Sequence, residues 1–399
     1  MGEMSKMLMK IGNKIRNMPL ELKLFFATLF LFGIGASMVD AVFNNFLNER
    51  FMLSGFQRAI IEFPRELPGF LTAFISAALF FLFSRRLAAL TFIFQAVGII
   101  LIGFIPTNFG TIMIWLFIFS MGQHMFMPLN SSIAMELAKD NEMGKRLGQA
   151  NGIKNLAMVL GTIIIFLGFK FLNFNFEITF IIAAFCFISC ALILLKMKKG
   201  EKHDSREHLK IYPKYKLYYW LCILYGSRKQ IFITFAPWVM VTVFHRNTQT
   251  IAMLLTIGAV IGVLYQPWLG KAIDKFGEKK ILAAESILLI FVCAGYGLSK
   301  HYFNEETAFI IAAICYILDQ MLMSVSMART TYLKKISEDH SHIKPTLSMA
   351  ITLDHIFSII IAVAGGFIWD KLDYRWVFLA GALIAVINFI SVMKIKIEK

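Results

Sequence analysis

Polar and ionisable residues set inside long apolar runs are where this sequence could do chemistry. Gln123 and His124 interrupt the run from Thr111 to Met135; Arg228, Lys229 and Gln230 interrupt that from Leu217 to Phe244; Asp319 and Gln320 interrupt that from Ala308 to Tyr332. At a helical rise of about 1.5 Å per residue these seven lie near the middle of their runs, and Asp40 lies closer to one end of the run from Leu24 to Leu47. Lys154 and Asp354 stand in two further runs, each about two turns from an end. A charge at the centre of a bilayer costs about 2.5–3.5 kcal/mol even on the lenient insertion scale, so each needs a partner, a water-filled cavity or a function. Pairs such as Lys229 with Asp319 could simply neutralise each other between helices. So many ionisable groups at one depth point instead to a cavity.

The residue types suggest what such a cavity would hold. Arg228, Lys229 and Lys154 are more cations than a neutral sugar requires, and a guanidinium suits bidentate contact with a carboxylate. An organic anion or a zwitterion leads, with a neutral polar solute open if Asp40, Asp319 and Asp354 cancel those cations. His124 is the group that titrates nearest neutral pH, and Asp319 and Asp40 are further candidates for carrying a proton. The segment Glu62-Phe63-Pro64-Arg65-Glu66-Leu67-Pro68-Gly69 places three charges and two helix-breaking prolines at the start of another run. It reads as an interfacial helix start, or as an outer gate built on Glu62 and Arg65.

Enzymatic chemistry finds no support. There is no Ser/His/Asp constellation, zinc motif or phosphate-binding glycine loop. Cys186, Cys190, Cys222, Cys293 and Cys315 sit in apolar runs without metal-site spacing, and read as packing residues. The pairs His203 with His208 and His340 with His342 fall in charged loops. No cofactor and no metal are expected.

The elements that position these residues follow from composition. The 399 residues are 58% hydrophobic and only 16% charged, too apolar for the water-facing skin of an ordinary soluble domain at about 25% charged. Crossing a hydrocarbon core of about 30 Å takes about 20 helical residues. Twelve runs qualify: Leu24 to Leu47, Ala59 to Phe83, Leu87 to Ile105, Thr111 to Met135, Leu147 to Phe171 and Thr179 to Leu195, then Leu217 to Phe244, Ile251 to Leu269, Ile281 to Leu298, Ala308 to Tyr332, Leu347 to Ile368 and Trp376 to Val392. The expected fold is therefore an all-α membrane protein.

The net charge of +15 could suggest nucleic acid, but the basic residues punctuate the apolar runs and form no basic domain. Assigned to alternate sides, 28 Lys and Arg fall on one side against 7 on the other. The positive-inside rule then puts both termini in the cytoplasm. The first run is too long for a signal-peptide core. Ahead of it, residues 1–23 form a basic segment that could lie on anionic lipid as an amphipathic helix. The linker 196–216 separates six runs in 24–195 from six in 217–392, and a tail spans 393–399. The halves echo each other: an offset of about 193 lays Gly33 on Gly226, and one of 200 lays Lys154 on Asp354. Weak repeats of this kind are a signature of transporter folds.

The loop after the eighth run contains Gly270, Asp274, Lys275, Gly277, Lys279 and Lys280. It resembles the G-x-x-x-D-[RK]-x-G-[RK]-[RK] loop of the major facilitator superfamily, prokaryotic type, and with twelve runs split six and six the resemblance covers the whole chain. It implies two pseudo-symmetric six-helix halves, with the first, fourth, seventh and tenth helices lining a central cavity. It also implies a monomeric secondary active transporter in the plasma (inner) membrane, with lipid and a small solute as partners and protons as one possible coupling ion. Substrate contacts are then expected at Gln123, His124, Arg228, Lys229, Gln230, Asp319 and Gln320. Coupling or gating is expected at Asp40, Glu62, Arg65, Lys154, Asp274, Arg329 and Asp354. Three pairings follow: Asp274 with Arg329 in the outward-open state, Lys154 facing Asp354 across the cavity or acting separately, and Asp40 with Arg65. The equivalent first-half loop, Ser84-Arg85-Arg86, lacks the glycines and the acid, so any gate there is altered or absent. The fifth run has no Gly-Pro pair of the proton-exchanging drug exporters. A drug exporter, a sugar transporter, and a receptor or assembly factor on the same scaffold remain alternatives.

Overall fold

The apolar runs fold as helices whose ends fall at polar residues. The structure, a computed structural model, describes residues 18–78, 83–105, 108–139, 142–200 and 211–396. The proposed N-terminal surface helix and the His203/His208 pair lie outside them. The chain runs through α1 (Leu20–Phe51), α2 (Gly55–Ile60), α3 (Glu62–Ala78), α4 (Ser84–Phe104), α5 (Phe109–Glu136), α6 (Met143–Phe171) and α7 (Phe176–Lys196). It continues through α8 (Lys216–Thr242), α9 (Thr248–Phe276), α10 (Glu278–Tyr302), α11 (Glu305–Met323), α12 (Ser326–Ile336), α13 (Ile343–Lys371) and α14 (Tyr374–Met393). With α2/α3 and α11/α12 each counted as one broken pass, these are the twelve expected passes.

Hydrogen bonds tie one set of helix ends together: the Lys198 amide donates to Glu21, and Lys279 Nζ donates to the Met393 carbonyl at 2.7 Å. This is the basic end. At the opposite, far end the loops are short, and each helix that starts there is capped by one polar side chain. Ser54, Asn108, Asn175, Asn247, Asn304 and Asp373 accept from backbone amides of the first turn of α2, α5, α7, α9, α11 and α14. Such caps satisfy amides that have no partner within the helix.

Ten passes are long and apolar enough to cross a membrane among the described residues. The two that fall short carry the charges: α2/α3 with Glu62, Arg65 and Glu66, and α8 with Arg228 and Lys229. Large apolar side chains such as Phe185, Leu264 and Phe291 are mostly exposed, as lipid-facing residues must be. Two buried cores form. One packs α1 and α4–α7 and borrows Trp238 and Ala252; the other packs α8–α14 and borrows Ala59.

The sequence placed the break in the second pass at its prolines. The structure places it at Ile61, with Pro64 in the first turn of α3, where a missing N–H costs little. Glu62, the first residue of α3, is fully buried.

Candidate functional site

Adjacent residues on α8 reach different partners, and that divides the intramembrane charges into separate clusters. Arg228 pairs with Asp319 of α11 and lies 4.0 Å from Glu285 of α10, which in turn binds Arg329 of α12 at 2.6 Å. Tyr225 lies against this group, its ring centre 4.3 Å from the Arg329 guanidinium, a favourable cation–π distance. All four charged side chains are buried. One residue on, Lys229 binds Asp354 of α13 at 2.6 Å. The expected Lys229–Asp319 pair is therefore replaced by Arg228–Asp319 and Lys229–Asp354. Arg228 and Asp319, both expected as substrate contacts, are here ion-paired with each other.

Gly226 makes the Lys229–Asp354 pair possible, because a Cβ there would coincide with the Asp354 carboxylate. Gly33 does the equivalent against α6, where a Cβ would sit 2.8 Å from the Lys154 carbonyl. Gly226→Ala should lower the thermal unfolding midpoint in detergent: overpacking costs about 1–3 kcal/mol, more than the roughly 1 kcal/mol that Ala gains over Gly in a helix. Because Asp354→Ala also strips Lys229 of its partner, Gly226→Ala with Asp354→Ala should lose less than the sum of the two single losses. A single variant as stable as the parent would mean that the close approach does not matter.

A second cluster joins the two cores. Glu62 Oε1 accepts from Arg58 at 2.6 Å and from Arg65 at 3.3 Å, while its Oε2 accepts from Gln230 of α8 at 3.0 Å. Arg58 also donates to Asn44 of α1. Farther along α3, Glu66 Oε2 lies 2.8 Å from His355 Nδ1, and the His355 ring stands edge-on to that of His124, centroids 4.9 Å apart. Ser54 with Asp370, Asn45 with the Arg246 carbonyl, and Gln249 with the Phe169 carbonyl add links at the far end. The described contacts between the cores thus lie at the far end and at mid-depth. Along the basic-end halves of α6 and α9, Gly148, Gly152, Gly262 and Gly270 border open space.

Asp40 and Lys154 stand apart. Asp40 is exposed although Val39 and Ala41 beside it are buried. It is within electrostatic reach of Arg65 and of Tyr316 on α11 but makes no ion pair among the described residues. The expected Asp40–Arg65 bridge is thus replaced by Arg65–Glu62, the i,i+3 neighbour. Lys154 is half-buried on the face of α6 that carries Ala150, Ala157 and Gly161, and has no partner among the described residues, since Asp354 is taken by Lys229. Gln123 is half-buried, and Gln320 packs on Gly258 of α9.

At the basic end, Asp274 is exposed and does not meet Arg329. Nearby, Glu278, buried at the start of α10, binds Lys335 near the end of α12 at 2.8 Å. Glu278–Lys335 and Glu285–Arg329 form two rungs, two turns apart on α10. In the first core, Arg85 at the start of α4 binds Glu136 at the end of α5 at 2.9 Å, the same arrangement with the signs exchanged. The loop that lacks the acid is therefore altered, not empty.

Sequence reasoning missed Arg58, Asn44, Glu285 and His355, and noticed Glu66 only as a neighbour of Arg65. Glu285 could have been found, as a carboxylate inside an apolar run. His355 was hidden behind its charged neighbour Asp354.

A family model described as Major Facilitator Superfamily matches residues 25–352. Among solved structures, the nucleoside transporter NupG superposes with a TM-score of 0.73 at 12% identity, covering 95% of this chain and 100% of that one. A D-xylose-proton symporter gives 0.68 at 14% identity, covering 92% and 96%. A POT family transporter in complex with 5-aminolevulinic acid gives 0.74 at 11%, covering 94% and 95%. No curated protein matches the sequence.

Proposed function

Because the chain belongs to the major facilitator superfamily, we propose that it is a secondary active transporter for a small zwitterionic organic solute, moved by alternating access between two pseudo-symmetric six-helix halves. The observation that carries the solute class is the state of the charges. Of those flagged inside apolar runs, Arg228, Lys229, Glu62, Arg65, Asp319 and Asp354 each have an oppositely charged partner, and Asp40 and Lys154 have none among the described residues. One unpaired carboxylate and one unpaired ammonium suit a solute carrying both charges better than an organic anion. Gly33 packs beside residue 154, and Asp40 lies seven residues farther along α1, so the two differ in depth by about 10 Å. That separation fits a compact solute whose charges stand several bonds apart.

The exchanged-sign pairs Arg85–Glu136 and Glu278–Lys335, and the matched glycines Gly33 and Gly226, support the two-half reading, since both fall at offsets of 193 to 199. With the basic end in the cytoplasm, far-end links and open basic-end halves correspond to an inward-open state. In that state the Asp274–Arg329 pairing is not required. Asp40 is also the carboxylate at which a proton and the solute's ammonium would compete, whereas Asp319 is committed to Arg228.

The test is uptake into proteoliposomes from a panel of amino acids, short peptides and ω-amino acids beside a sugar and a dicarboxylate. A zwitterion should be accumulated or exchanged and the others not. Flux of the dicarboxylate or sugar alone would overturn the assignment of solute class, and no flux of any solute would favour a receptor.

A further inference from the structure

The meeting of α3, α5 and α13 contains a group that transport of a zwitterion does not use. We propose that Glu66, His124 and His355 form a binding site for a borderline divalent transition metal, with Zn2+, Co2+ and Ni2+ as the fitting class, and that the bound ion ties the two cores together on the closed side. One ligating atom from each of the three residues lies within 4.8 Å of the others. Two ligands on a tetrahedral ion at about 2.0–2.1 Å stand about 3.4 Å apart. Side-chain rotation closes the difference.

The hydrogen bonds around the histidines prepare them to ligate. Ser120 Oγ donates its one proton to the Arg65 carbonyl, so it cannot also donate to His124 Nδ1, 3.0 Å away. That nitrogen must therefore carry the proton, which it also directs at the Ser120 carbonyl, 3.0 Å distant. The lone pair is left on Nε2. His355 Nδ1 faces the Glu66 carboxylate at 2.8 Å, so an ion would take the place of the proton between them, with Nδ1 and a Glu66 oxygen as neighbouring ligands. His124, its second nitrogen held by the Ser120 carbonyl, has the usual arrangement of a metal-ligating imidazole. Two imidazoles and a carboxylate are a donor set that zinc accepts.

Charge and packing agree. Arg65 and Lys229 lie close to the group; Lys229 is bound to Asp354, and Arg65 shares Glu62 with Arg58. Among the described residues Glu66 is ion-paired only with His355, so its negative charge remains available to a cation. Gly69, one turn on from Glu66, sits where any Cβ would strike the His355 ring. The absence of a side chain there is what lets α13 deliver its imidazole against α3.

The inference does not rest on the proposed solute, because it is read by binding. Full-length protein purified without a histidine tag is titrated with Co2+, followed by visible ligand-field absorption, then with Zn2+ as competitor. One equivalent of Co2+ should give the intense bands of a four- or five-coordinate site and be displaced by Zn2+. His124→Ala and His355→Ala should each weaken binding by more than the roughly 10–100-fold that a lost supporting residue costs. Glu66→Gln, which keeps its shape, should weaken it as well. Folding of each variant is checked by its unfolding midpoint without metal. Weak octahedral bands alone in the parent protein would overturn the proposal without recourse to any variant. Equal stoichiometry and affinity in the folded double-histidine variant would also overturn it, as adventitious surface binding.

Discussion

Asp319→Asn should cost about 3–5 kcal/mol of stability, because removing one partner leaves the other as an uncompensated buried charge. Arg228, Arg329, Asp319 and Glu285 make a neutral group of two cations and two anions, all buried. Without the Asp319 charge, two guanidiniums share one carboxylate. Arg228 Nε and Nη2 and Arg329 Nε and Nη1 already have no hydrogen-bond partner among the described residues, and the group's one unbonded carboxylate oxygen, Glu285 Oε1, stands 4.0 Å from Arg228. Arg228→Met combined with Asp319→Asn restores neutrality and should recover most of the loss, as apolar replacement of a buried pair often does. Thermal unfolding of the three variants in detergent forms a double-mutant cycle. If Asp319→Asn melts with the parent, or the double variant is no better than the single, the cluster is not a structural anchor and substrate contact at Asp319 returns as a possibility.

Asp40→Asn and Lys154→Gln should do the reverse: leave stability unchanged and disable transport. Neither side chain has an ion-pair partner to lose among the described residues. Hydrogen bonds to charged groups contribute about 1.5–3 kcal/mol, and each 1.4 kcal/mol is tenfold, so either change should lower kcat/KM for uptake by about 10–150-fold. The two should differ in what they still accept. Asp40→Asn no longer holds the ammonium and should discriminate least against the deaminated acid. Lys154→Gln should discriminate least against the amide of the solute's carboxylate. Uptake kinetics with the solute and both analogues separate the cases. Parental kinetics in both variants would remove these residues from the binding site, and a loss of folding in either would show a structural partner instead.

Much of the site was legible because charge inside an apolar run is expensive wherever the chain folds. That argument identified Glu62, Arg65, Arg228, Lys229, Asp319 and Asp354 as residues in need of compensation, while Arg329 came only from the family resemblance. Depth alone could not pair them. Arg228 and Lys229 differ by about 1.5 Å along the axis but point about 100° apart around it. One therefore faces Asp319 on α11 and the other Asp354 on α13. Asp40 and Arg65 matched in depth, yet Glu62 on the same helical face as Arg65 was nearer and took the guanidinium. At the basic end, Asp274 fitted the family loop, but Glu278 is the acid that the start of α10 turns inward.

What the sequence by itself determined was the number of passes, their ends and the side that carries the basic residues. These depend on local quantities: run length against bilayer thickness, a polar cap at each far-end helix start, and the cost of moving charge through lipid. Which charges pair, and that Asp40 and Lys154 have no ion-pair partner among the described residues, was decided only by the tertiary structure. Partner choice turns on the rotation of each helix about its own axis, and close packing at Gly33, Gly69 and Gly226 fixes that rotation between elements more than 100 residues apart.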